Sequence, residues 1–135
     1  MIPKKRERVG GFEKVKVGEF IYGIIERIEY DEQHIFKFQG EEKEPTEAVR
    51  FVFKLDGYEY PKRSRWMRFS TSERSNLYQK YISKLILNAH PDMLFNFESF
   101  KAMKIKTIWS ESGDYQNLES IFPNDEKLEV KEVEL

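Results

Sequence analysis

The densest run of chemically useful side chains lies between residues 58 and 68, where Tyr58, Tyr60, Lys62, Arg63, Arg65, Trp66 and Arg68 interleave aromatic rings with cations. Single-stranded nucleic acid exposes base π-faces along a line of phosphates. A sequence-tolerant binder therefore needs this mixture, rings to stack on and Lys or Arg to follow the backbone. Each stacked base is worth about 1–3 kcal/mol. Arg50 and Lys54 add two cations on an alternating segment just upstream, Lys104 and Lys106 add two more downstream, and Trp109 and Tyr115 flank a turn beyond them. Together these residues form the candidate nucleic-acid-binding set.

Each also has an ordinary structural reading. Trp66 either presents its ring beside Arg68 or closes the end of a core, because Trp is highly buried on average. Arg50 and Lys54 either meet phosphates or are solvated, and Lys104 and Lys106 either face ligand or lie at the back of the fold. Trp109 and Tyr115 either grip a base or pack on each other across strands. Tyr22, Phe36 and Phe38 either contact ligand or, the commoner role for such residues, belong to the core.

Catalytic chemistry has no comparable support. His34 and His90 are the only histidines, they lie far apart in sequence, and cysteine is absent. That removes thiolate metal sites, disulfides and Cys nucleophiles, and neither phosphate-cradling glycine motif occurs. The expectation is a non-enzyme with no catalytic residue, no metal and no cofactor.

A net charge of −1 conceals an uneven distribution. Lys4, Lys5, Arg6, Arg8, Lys14 and Lys16 outnumber Glu7 and Glu13 at the start, and residues 50 to 68 are basic as well. Residues 124 to 135 are acidic, with Asp125, Glu126, Glu129, Glu132 and Glu134 against Lys127 and Lys131. A basic body suits an anionic ligand, and the acidic end suits a protein partner or a competitor for the basic surface. No run of about 18 apolar residues is present, and no apolar signal segment follows the basic start. The expectation is a soluble cytoplasmic protein with no membrane partner.

These residues need elements to hold them. Val17 to Phe38 reads as a long strand, with Phe20, Tyr22, Ile24, Ile28 and Tyr30 at even spacing and Ile21 and Ile25 on the other side. Apolar residues on both faces suggest a bend, and Gly23 suits a bulge or a close backbone approach. Gly40 to Glu47 reads as a loop. Val49, Phe51, Phe53 and Leu55 then alternate with Arg50, Val52 and Lys54 up to the turn signal Asp56-Gly57, and Arg63 to Ser70 forms a third strand with Met67 and Phe69 on its core side. Leu77, Tyr78, Tyr81, Ile82, Leu85 and Ile86 keep helical spacing, after a Ser70/Glu73 capping box and before the stop signals Asn88 and Pro91. A short turn at Asn96 to Phe100 precedes two further strands, Lys101 to Trp109 and Tyr115 to Phe122, joined at Ser112-Gly113-Asp114. The organisation is a basic arm over 1–14, one domain over 15–123, and an acidic tail or edge strand over 124–135.

The fold class is therefore mainly β with one main helix, in the β-β-β-α-β-β order of the five-stranded OB-like Greek-key barrel. From Gly18 to Pro123 the chain resembles the OB-fold single-stranded-DNA-binding proteins of the phage and mobile-element type. The resemblance rests on Gly18-Glu19-Phe20-Ile21-Tyr22-Gly23, on Phe97 to Lys106, and on Tyr115-Gln116-Asn117-Leu118-Glu119-Ser120-Ile121. It implies largely sequence-independent binding of single-stranded DNA in replication or recombination, inside a bacterial host cell if the protein is phage-encoded. RNA would suit the same face. The partners implied are a second copy in a homo-oligomer, and a replication or recombination protein met through the acidic tail. The alternative is an OB-like protein-interaction or oligomerisation module with no nucleic-acid role.

Overall fold

Alternating apolar residues settle into strands when one face has a core to cover, and the central pair of strands follows that rule. The computed structural model describes residues 14–129. Its strands in chain order are β1 (Ile21–His34), β2 (Lys37–Phe38), β3 (Glu41–Glu42), β4 (Thr46–Leu55), β5 (Lys62–Arg63), β6 (Met67–Arg68), β7 (Lys104–Ser112) and β8 (Tyr115–Pro123). One antiparallel sheet runs in the order β5-β4-β1-β7-β8, with β6 also on β4, and β2 pairs with β3 separately. Among the described residues no helix is long and apolar enough to cross a membrane.

Val49, Phe51, Phe53 and Leu55 of β4 are buried together with Ile21 and Ile25 of β1, Ile105 of β7 and Ile121 of β8. Tyr81 stacks on Phe51 with centroids 4.4 Å apart, and Phe100 meets the same ring edge-on at 5.7 Å. Burial pushes the Tyr81 hydroxyl up to about 12. Truncating a buried Phe costs about 3–5 kcal/mol, so β4 is where the fold is most easily broken.

Gly23 serves the expected close approach: a Cβ there would collide with the Lys54 carbonyl oxygen. The bend itself comes at the register shift between Ile25 and Arg27. The third strand departs from expectation. It is split into β5 and β6, because the Ser64 side chain enters the ladder between them. Ser64 Oγ accepts from Phe51 N at 2.9 Å while Ser64 N donates to Phe51 O at 2.9 Å. Phe69, expected in the core, is 38% exposed. Two-residue segments cannot carry a ladder across to β8, and the sheet remains open at β5 and β8. The closed barrel is thereby corrected to an open antiparallel sheet.

The helical segment α1 joins a π-helical stretch, Leu77–Ile82, to an α-helical turn, Ser83–Leu85. Its leading hydroxyl is that of Ser75, not the expected Ser70 box: Ser75 Oγ accepts from Tyr78 N at 3.1 Å and donates to Ser70 O and Ser72 O. The helix ends one residue earlier than its periodicity implies, because Ile86 turns extended and forms a parallel bridge with Leu128. Leu128 N donates to Leu85 O at 2.7 Å, and Leu87 N donates to Leu128 O at 2.8 Å. The start of the expected tail is therefore paired; residues 130–135 lie outside the described residues, as do 1–13 of the expected arm. At the other end Val15 is buried, with its N–H and C=O both held by the Gln116 amide at 3.0 and 2.8 Å.

Candidate functional site

Register assigns the cations to faces. Ala48, Arg50, Val52 and Lys54 alternate with the core residues of β4, so they share the sheet's outer face. Arg50 lies opposite Glu29, Lys54 opposite Ile24, and Arg63 opposite Val52. Ile24 also lies opposite Lys104, Tyr22 opposite Lys106, and Lys106 opposite Phe122. The sheet side opposite the core thus carries an arginine-rich edge on β4, β5 and β6, where Ala48 and Val52 are buried, and a lysine and aromatic surface on β1, β7 and β8.

The arginine edge is internally paired. Glu29 Oε1 accepts from Arg50 Nε at 2.7 Å and lies 3.8 Å from Arg63 Nε, while its Oε2 accepts from Arg27 Nη2 at 2.7 Å. Burial opposes ionisation of Glu29, but the hydrogen bonds from Arg27 and Arg50 and their charges outweigh it and hold the carboxyl below its ordinary value. The same hydrogen bond raises Arg27 further. Trp66 is half-buried and already occupied: His34 stacks on it at 4.9 Å, and the Arg50 guanidinium lies 4.4 Å from its centroid. His34 is in turn 3.1 Å from Asp31. A base could stack on Trp66 only by displacing a resident group. Arg65 and Arg68 remain exposed beside this cluster.

The opposite holds across β1, β7 and β8. Phe20 and Tyr22 are each 44% exposed, with centroids 6.4 Å apart, and Phe122 meets Phe20 edge-on at 6.3 Å. Lys106 Nζ stands 4.8 Å from the Phe20 centroid, and Lys84 Nζ stands 4.8 Å from that of Phe122. Lys54 and Lys104 are exposed on either side of Ile24. None of these four lysines makes an ion pair with another described residue.

The remaining sequence candidates scatter. Trp109 is corrected: it is 2% exposed, its indole N–H donates to Thr107 Oγ1 at 2.8 Å, and it packs edge-on against Phe53, so it belongs to the core. Tyr115 is 75% exposed at the β7–β8 turn, and the two do not pack on each other. Tyr58 is half-buried and its hydroxyl accepts from Lys16 N at 3.1 Å. Tyr60 is exposed in the β4–β5 loop, and Lys62 lies opposite Phe53, out of register with the outer face. Tyr22 and Phe38, expected in the core, are exposed.

Phe20 and Phe122 are candidate site residues that the sequence does not single out, and Tyr22 reads there more as core than as contact. The available signal was that β1 is apolar at both odd and even positions, whereas a single core covers one face only. Compared with protein-family models, with curated proteins and with solved structures, the chain matches none.

Proposed function

We propose that this protein binds single-stranded nucleic acid, largely without regard to sequence, on the outer face of its sheet. The observation that carries the reading is the pair of exposed rings, Phe20 and Tyr22, set among four lysines that have no carboxylate partner among the described residues. Rings of this kind offer stacking platforms, and unpaired ammonium groups follow phosphates as mobile point charges. An aliphatic floor at Ile24 between Lys54 and Lys104 suits the edge of a base or sugar.

Strand pairing supports an open form of the OB-like arrangement. Counting β5 and β6 as one, the first strand pairs with the second and fourth, the third with the second, and the fifth with the fourth. Pairing of third with fifth would close a barrel. The resemblance extends the reading to single-stranded DNA in phage or mobile-element replication or recombination.

The test is fluorescence anisotropy of a labelled oligo-dT of about 30 nucleotides, titrated with the full chain at several salt concentrations beside a duplex of equal length. Tight binding of the single strand that weakens with salt, with weak duplex binding, is the expected result. No binding at low salt would overturn the proposal.

A further inference from the structure

Beyond the paired part of β1 and β4 the hairpin continues as a finger. Phe38 and Glu41 pair across Gln39 and Gly40, whose φ values of 53° and 82° make the tight turn that a two-residue hairpin needs. Lys43 N donates to Phe36 O at 2.8 Å, and Phe36 packs edge-on against His34 at 4.6 Å, so the finger is tied to its base. Its surface is apolar and mildly acidic: Phe38 is 59% and Ile35 45% exposed, Lys43 Nζ lies 5.5 Å from the Phe38 centroid, and over residues 35–45 the carboxylates Glu41, Glu42 and Glu44 stand against Lys37 and Lys43. That charge repels phosphate. The complementary partner is an aromatic surface framed by cations.

We infer that the finger docks on the outer face of a second copy of this chain, setting Phe38 against Phe20 and Tyr22 and the finger's carboxylates against Lys54 and Lys104. The contact is intermolecular by geometry. Ile24 and His34 lie ten residues apart on β1 and both pair with β4, a span of about 33 Å in extended chain, so the finger cannot fold back onto its own face while that ladder is intact. Finger and face are different surfaces, so the contact is heterologous and builds head-to-tail chains instead of closing at a dimer. The inference rests on the proposed binding face in one respect: finger and nucleic acid require the same lysines, so a single strand displaces the finger.

Sedimentation velocity of the full chain, without nucleic acid, tests the association by itself. Mass that rises with protein concentration and falls with salt is expected. The doubly substituted variants Glu41→Lys/Glu42→Lys and Lys54→Glu/Lys104→Glu, all at exposed positions, should each associate more than about tenfold more weakly, since like charges then face each other. An equimolar mixture of the two should regain association, because each variant's finger now matches the other's face. Circular dichroism checks that both retain the fold. A wild-type chain that stays monomeric at low salt, or a mixture that stays monomeric, would overturn the inference. Loss of strand binding in the oligo-dT titration with association intact would instead overturn only the nucleic-acid reading. Phe38→Ala separates the two further: it should weaken self-association and, by removing a competitor for the shared lysines, raise the apparent oligo-dT affinity at protein concentrations where the wild type associates.

Discussion

Two stretches of one sheet face carry cations, and they are arranged on opposite principles. On β4 and β5, Arg50 and Arg63 converge on Glu29, and Arg50 also covers Trp66, which His34 already stacks on. Along β1, the Phe20 that precedes it and β7, Lys104 is exposed, Lys106 is half-buried and the rings of Phe20 and Tyr22 are part-exposed, with no carboxylate partner for either lysine among the described residues. The first is a folded network whose charges are compensated. The second leaves its lysines without a carboxylate among the described residues; Lys106 lies over the Phe20 ring, and Tyr22 is the ring there with no cation set against it among the described residues. Residue type alone does not separate the two; the partner across the ladder does.

The largest expected difference is therefore between two aromatic truncations. Tyr22→Ala should weaken oligo-dT binding by about 1–3 kcal/mol, the worth of one stacked base, with thermal stability nearly unchanged because the ring is already half in solvent. Trp66→Ala should do the reverse and lower the melting temperature, since it removes the surface on which His34 and Arg50 lie. Parallel anisotropy titrations and thermal melts of both variants decide it. Affinity lost at Trp66 and kept at Tyr22 would invert the assignment of the two regions.

Much of the framework was legible in the sequence because it rests on local pattern. The period of two in β4, the change to helical spacing at Leu77, and the Gly113 turn each follow from one short window of residues. The open sheet was not legible, because it depends on Ser64 replacing a backbone group in the ladder, and serine at that position carries no pattern. The chemistry of the candidate site was legible, whereas the face proposed here was not. The aromatic and basic run from Tyr58 to Arg68 has the right composition, but the Glu29 that neutralises part of it lies 34 residues upstream of Arg63. Conversely, the exposure of Tyr22 follows from which face of β1 the helix and β4 side chains leave uncovered, a property of the tertiary fold.

A second, smaller effect is expected from Glu29→Gln, which removes the compensating charge from the arginine edge. Glu29 titrates below its ordinary value of 4.5 in the folded chain, so its pairing contributes stability that is fully present above that value and is lost as pH falls through the lower folded one. The variant should be less stable at pH 7 by about 1 kcal/mol, and the gap to wild type should close in acid below pH 4.5. Urea unfolding between neutral pH and pH 3 measures it. The released guanidinium groups should at the same time steepen the salt dependence of oligo-dT binding. A gap that stays constant into acid would mean that Glu29 contributes through packing and not through charge.

The smallest expected effect compares single cations from the two regions by their salt slopes. An ammonium that releases a counterion on binding contributes about 0.7 to the slope of log affinity against log salt for a single strand. Lys104 is exposed on the outer face with no described carboxylate partner, so Lys104→Ala should flatten the slope by about that amount. Arg50 is already neutralised by Glu29 at 2.7 Å and lies against Trp66, so Arg50→Ala should change the slope by much less while lowering stability. The charge removed is the same in both variants, so a difference between their slopes reports only on whether a phosphate or a carboxylate was its partner. Equal slopes would mean that bound nucleic acid draws Arg50 away from Glu29, and the arginine edge would then belong to the binding surface as well.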